Sequence, residues 1–128
     1  LLASMIESNG IEMILGMTTD QQLGPMITIG FGGYYAEALK DAVTLMPPFT
    51  AETAKKAIKS LRMKSLLDGY RGTDPVDINA FAQMASVFSL IAIEFKEQVS
   101  EIDINPVILG KDNCIAVDAL ISLHQQNK

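Results

Sequence analysis

The chain has 128 residues, 48% of them hydrophobic and 20% charged, with a formal net charge of −5. That size and mix describe one globular domain able to bury a core, not a disordered segment. The acidic balance argues against nucleic-acid binding, no apolar run approaches the ~20 residues that span a bilayer, and the single cysteine, Cys114, excludes an intrachain disulfide and fits a reducing compartment.

The chain opens "LLASMIESNG", with no initiator Met and no basic leader, which predicts a domain belonging to a longer chain. "LLASMI" (1–6) reads as a short buried strand and "IEMILGMTTD" (11–20) as a second, joined by the turn-forming "SNG". "QQLGP" (21–25) is a turn and "PMITIGF" (25–31) a third strand. Connections this short predict antiparallel pairing. The stretch "GFGGYYAEALKDAVTLMPP" follows, and its Gly32 and Gly33 permit backbone shapes that other residues avoid.

A helix is expected from about Ala51 to Leu61, capped by Thr50, with Ala54, Ala57, Ile58 and Leu61 on its apolar face. Its Lys55, Lys56 and Lys59 read as a solvated face. A second helix starts after Pro75 with Asp77 as its cap. Ile78, Phe81, Met84, Ala85, Phe88, Ile91 and Phe95 keep the spacing of a buried stripe along it. The chain ends in the hairpin "EIDINPVILGKDNCIAVDAL" (101–120) and a polar tail. Cys114 reads there as a small apolar residue, and His124 as an exposed residue without a structural role. Strands, then helices, then strands predict an α+β fold, a mainly antiparallel sheet with helices packed on one side.

The terminal hairpin carries the polar residues of interest. Side chains alternate along a strand, so Glu101, Asp103 and Asn105 share one face, opposite Ile102 and Ile104. "GKDN" (110–113) is good turn chemistry. Centring the turn between Lys111 and Asp112 places Asn105 directly across from Asp118, with Cβ atoms ~5 Å apart. An amide oxygen and a carboxylate at that separation can reach one hard cation such as Mg²⁺, with Asp103 one pleat along. The same pattern is also that of a wet edge hairpin with a bulge at Asn105-Pro106. A slip of one residue would send Asn105 and Asp118 to opposite faces.

Several segments together carry a family resemblance. "GIEMILGMTTDQQLGPMITIGFGGYYAEALKD", "GYRGTDPVD", "EIDINPV" and "IAVDA", in this order, resemble the carboxy-terminal part of the ATP-grasp domain of NDP-forming acyl-CoA synthetases. These are the ADP-forming acetate–CoA ligases, relatives of the succinyl-CoA synthetase β-subunit. The resemblance runs from about residue 2 to residue 121 and implies that residues 1–128 form a carboxy-terminal ATP-grasp subdomain.

It further implies ATP bound in a cleft between two α+β subdomains of a cytoplasmic enzyme. Acid, CoA and ATP would give acyl-CoA, ADP and phosphate through a phosphohistidine on other segments. The implied partners are the amino-terminal ATP-grasp subdomain and CoA-binding domains, with CoA and a carboxylic acid as substrates; a homo-oligomer is left open.

The resemblance assigns the Mg²⁺ of the nucleotide to Asn105 and Asp118, with Asp103 in the preceding acidic position. Glu12 matches a carboxylate that accepts hydrogen bonds from the ribose hydroxyls, and Ser4 and Met5 lie on the strand beside the adenine. Gly32 and Gly33 fall beside the cleft. Lys40 and Arg71 are candidate cations facing phosphate oxygens, with a surface ion pair as the alternative for Lys40. The chain departs from the family pattern at Ser4 and Met5, where an acidic or amide residue is expected, and at Leu120, where Arg is more common. Those departures favour an alternative: a non-catalytic regulatory or dimerisation module, such as one fused to a protein-lysine acetyltransferase. In either case the isolated chain holds one wall of the cleft and is expected to be inactive alone.

Overall fold

A computed structural model describes residues 10–33, 40–69 and 74–125. The expected strand 1–6, and with it Ser4 and Met5, lies outside the described residues, as does Arg71.

Two long apolar strands start the sheet, β1 (Ile11–Asp20) and β2 (Gly24–Phe31). Their alternation is clean: Met13, Leu15, Met17, Ile27 and Ile29 are fully buried, while Glu12, Thr18 and Thr28 point the other way. The turn between them is held by Asp20, whose carboxylate accepts the N–H groups of Gln22 and Leu23 at 2.8 and 2.9 Å. Those bonds, that from Leu23 first, hold the Asp20 carboxyl below its ordinary value. Gly24 closes the turn with φ of 82°, a conformation other residues resist.

A short strand, β3 (Ala42–Leu45), then pairs with β2. It was not expected from the sequence.

Helix α1 (Ala51–Lys59) begins where Thr50 accepts the Thr53 N–H at 3.2 Å, as the capping pattern predicts. Ala54, Ala57, Ile58 and Leu61 are buried, although the last follows the helix. A 3₁₀ turn (Lys64–Asp68) leads towards α2 (Ile78–Glu94), capped by Asp77 on Ala80 N–H at 3.0 Å. The remaining strands are β4 (Val99–Leu109), β5 (Cys114–Ala116) and β6 (Ala119–Leu123).

The strand order is β3-β2-β1-β4-β5, all antiparallel, with β6 following β5 along β4. Both helices pack on the face of Met13, Leu15, Ile27 and Ile102, giving the expected two-layer α+β arrangement.

Two expectations are corrected. In the stripe of α2, Phe81, Ala85 and Phe88 are buried, but Ile91 and Phe95 are 40% and 44% exposed. The helix lies against its neighbours with Ala82, Ala85, Ser89 and Ala92, whose small side chains allow close approach. Ile91 and Phe95 instead extend the line of Met84, whose sulfur meets Cys114 Sγ on β5 at 4.0 Å. Farther along that edge, Ile121 and Leu123 of β6 are 57% and 69% exposed as well. The second correction is His124, which is exposed but bonded. Its N–H donates to Gln98 O at 2.9 Å and its Nε2 lies 3.1 Å from Lys96 O, tying the end of β6 to the turn after α2.

Cys114 is half-buried, as its apolar reading predicts, and its thiol is pushed up to about 11, chiefly by burial and then by the Asp77 carboxylate. The thiol therefore stays protonated at neutral pH, and alkylation by iodoacetamide at pH 8 is expected to run more than about tenfold slower than at an unhindered cysteine. For the core, Phe81→Ala should cost about 3–5 kcal/mol in urea denaturation. Val87→Ala, on the outer side of α2, should stay within about 0.5 kcal/mol.

Candidate functional site

The sheet face opposite the helices gathers the candidate polar residues. Glu12, Ile14 and Gly16 of β1 lie on it beside Asp103 and Asn105 of β4, and Asp118 and Leu120 follow on the β5–β6 side. One irregularity in β4 makes this arrangement. Met13 pairs with Val107 and Leu15 with Ile104, so Ile14 alone faces both Asn105 and Pro106. This is a β-bulge, with one extra residue in β4. Before it, Ile102 and Ile104 face the helices; after it, Val107 and Leu109 do. Pro106 has no N–H to lose at such a place.

The ladder on the other side of β4 continues through the bulge. Asn105 N–H donates to Asp118 O at 3.1 Å, and Val117 N–H to Pro106 O at 3.0 Å. Leu109 pairs with Cys114 and Ile104 with Ala119. Asn105 and Asp118 are thus directly opposed, in the register expected from the "GKDN" turn.

Both side chains are exposed, and Asp103 is half-buried one pair along, between Gly16 and Leu120. The ion pairs found among the described residues join Arg62 to Asp41 and Lys111 to Asp74, so neither Asp103 nor Asp118 is neutralised by them. One oxygen of Asp118 accepts the Ala119 N–H at 2.9 Å.

These are hard oxygen donors of the kind Mg²⁺ takes, and they are too few to complete its shell. Among the described residues no group of three or more His, Cys, Asp or Glu side chains could hold a metal. Two carboxylates and an amide fit a cation that brings most of its ligands with it, as water and phosphate oxygens.

Glu12 lies on the same face, exposed, paired with Ile108 of β4. Its carbonyl accepts the Gly32 N–H at 2.8 Å, and its carboxylate lies over Gly33. Gly33 has φ of 59°, and a Cβ built on it would run into that carboxylate. The Gly32–Gly33 pair and Glu12 therefore form one unit.

Lys40 is exposed, with φ of 48°, unusual for a residue bearing a side chain. It precedes β3, so β2, β1 and β4 separate it from Asp118. The fold does not bring Lys40 beside the Asn105–Asp118 pair. Asp41, by contrast, is a buried carboxylate that the sequence reading did not single out. Its partners are backbone N–H groups of Arg62 and Met63, remote in the chain, and no local pattern announces them.

Residues 1–123 match the family model of the ATP-grasp domain. The β subunit of acetate–CoA ligase [ADP-forming] I from Pyrococcus furiosus is 40% identical over 114 residues, covering 89% of this chain and 49% of that protein. The β subunit of form II from the same organism is 36% identical over 125 residues, 96% of this chain and 52% of that protein. Among solved structures, the dinucleotide forming acetyl-coenzyme A synthetase 1 of Ca. Korarchaeum cryptofilum, in complex with coenzyme A and Mg-AMPPCP, superposes with a TM-score of 0.85 at 36% identity. That match covers 90% of this chain and 54% of the other. The chain thus spans about half the length of these relatives. With the family model matched over nearly the whole length, the chain belongs to the ATP-grasp domain family.

Proposed function

We propose that this chain, as the carboxy-terminal ATP-grasp subdomain, forms the ATP–Mg²⁺-binding wall of an NDP-forming acyl-CoA synthetase, a cytoplasmic acid–thiol ligase. The observation that carries the reading is the direct opposition of Asn105 and Asp118 on the side of the sheet away from α1 and α2, with Asp103 beside them. Asp118 and Asn105 would hold the cation, with Asp103 as a further ligand or as acceptor for its waters. Mg²⁺, when bound, supplies positive charge to the phosphate oxygens. Glu12 would accept the ribose hydroxyls, orienting the nucleotide above the Gly32–Gly33 turn.

The relatives' names support acyl-CoA formation, and the chain's coverage of about half their length implies that the rest of the cleft lies in other segments. In the full reaction the γ-phosphoryl group would leave ADP for a histidine nitrogen, then pass to the acid, and CoA would displace phosphate. His124, the one histidine of this chain, is tied to Lys96 and Gln98 on the turn after α2, so the phosphorylated histidine belongs to another segment. Arg71 is assigned a phosphate-facing role from the resemblance alone, and Lys40 by its distance from the pair is read as a surface cation.

One observation favours the non-catalytic alternative. Leu120, 69% exposed, sits directly across from Asp103 where a cation would be expected. Substitution separates the two readings. In the parent protein, Asn105→Ala and Asp118→Ala should each lower ATP-dependent acyl-CoA formation by at least about a hundredfold, measured as ADP release. A wild-type rate in both variants would reject the metal assignment, and a parent protein that turns over no acid would favour the regulatory module. The 128-residue chain alone should show no acyl-CoA synthetase turnover in the same assay.

A further inference from the structure

Among the described residues Asp41 is the one buried charged side chain, 5% exposed. Burying a carboxylate is costly unless N–H groups replace its water. Here Oδ1 accepts Arg62 N–H at 2.9 Å and Oδ2 accepts Met63 N–H at 2.7 Å, while Arg62 Nε stands 3.8 Å from Oδ1. The carboxylate thus fastens the start of β3 to the segment that follows α1. The same residue holds β2, because Phe31 N–H donates to Asp41 O at 3.1 Å. The next two residues are Gly32, bonded to the Glu12 carbonyl, and Gly33, over which the Glu12 carboxylate lies. A continuous path of short contacts therefore runs from a buried clamp to an exposed acid.

We propose that Asp41 and Gly33 are positioning residues for nucleotide binding: Asp41 clamps the rim of β2 and β3, the rim fixes Gly33, and the bare Cα of Gly33 sets where the Glu12 carboxylate stands. The proposal rests on the reading that Glu12 contacts the nucleotide.

The test is a set of double-mutant cycles in the full parent protein, with the non-hydrolysable β,γ-methylene analogue of ATP and Mg²⁺ titrated calorimetrically. Glu12→Ala, Asp41→Asn and Gly33→Ala should each weaken binding by about tenfold, the order expected for one charge-assisted hydrogen bond. Glu12→Ala combined with either of the others should bind no more weakly than Glu12→Ala alone, because all three act through one carboxylate. KM for CoA should not move. A purely structural role would instead lower thermal stability and leave the analogue's affinity intact.

If Glu12→Ala weakens binding while Asp41→Asn and Gly33→Ala bind as wild type, or if the effects add in full, the positioning role is rejected and the reading of Glu12 stands. If Glu12→Ala itself binds as wild type, that reading fails and the inference falls with it. Should Asp41→Asn fail to fold, the cycle of Gly33→Ala with Glu12→Ala decides the inference, because Gly33 touches the acid without taking part in the buried clamp.

Discussion

The register of β4 is the constraint on which the rest depends. This strand is paired on both edges, with β1 on one side and with β5 and β6 on the other. Its apolar residues must meet the helices, so a slip of one residue would expose Ile102 and Leu109 and bury Asp103. The bulge at Asn105 and Pro106 lets the two halves of the strand each satisfy that demand. It does so by handing the extra residue to the open face, where Asn105 meets Asp118.

The packed core and the candidate polar residues thereby lie on different sides of one sheet. The helix side is built from Met, Ile, Leu and Phe, with alanines and one fully bonded serine where α2 comes closest. The other side carries Glu12, Asp103 and Asn105, acids and an amide that face no desolvation penalty as long as water or a ligand meets them, although Ile108 on that side is buried. Asp41 is the exception, a charge placed within the fold. Its cost is offset by backbone N–H groups, and its position at the rim links the buried layer to the open one.

Much of this was legible beforehand, for physical reasons that differ by element. Thr50 and Asp77 were readable as caps because a cap bond is local, spanning three residues. The opposition of Asn105 and Asp118 was readable because a short turn with strong preferences propagates its register along two strands. The burial of Ile91 and Phe95 was misjudged because periodicity reports which residues share a face, not how far the covering layer extends. Strand β3 was missed because four residues between a glycine-rich stretch and Pro47-Pro48 carry almost no alternation to read. The clamp made by Asp41 was not legible because its partners, Arg62 and Met63, lie on the far side of α1. The donor set alone fits both a wet hairpin and a cation site, because the same polar residues on an exposed face suit water and a hard cation alike.

The exposed edge formed by β6 has a consequence for handling the chain. "ALISL" presents five consecutive uncharged residues, with no proline or lysine to block a newcomer and one rim of backbone groups unpaired by the described strands. An edge of that kind is a template on which a further strand can pair, so β6 is the place where added charge or a proline would blunt edge-to-edge association.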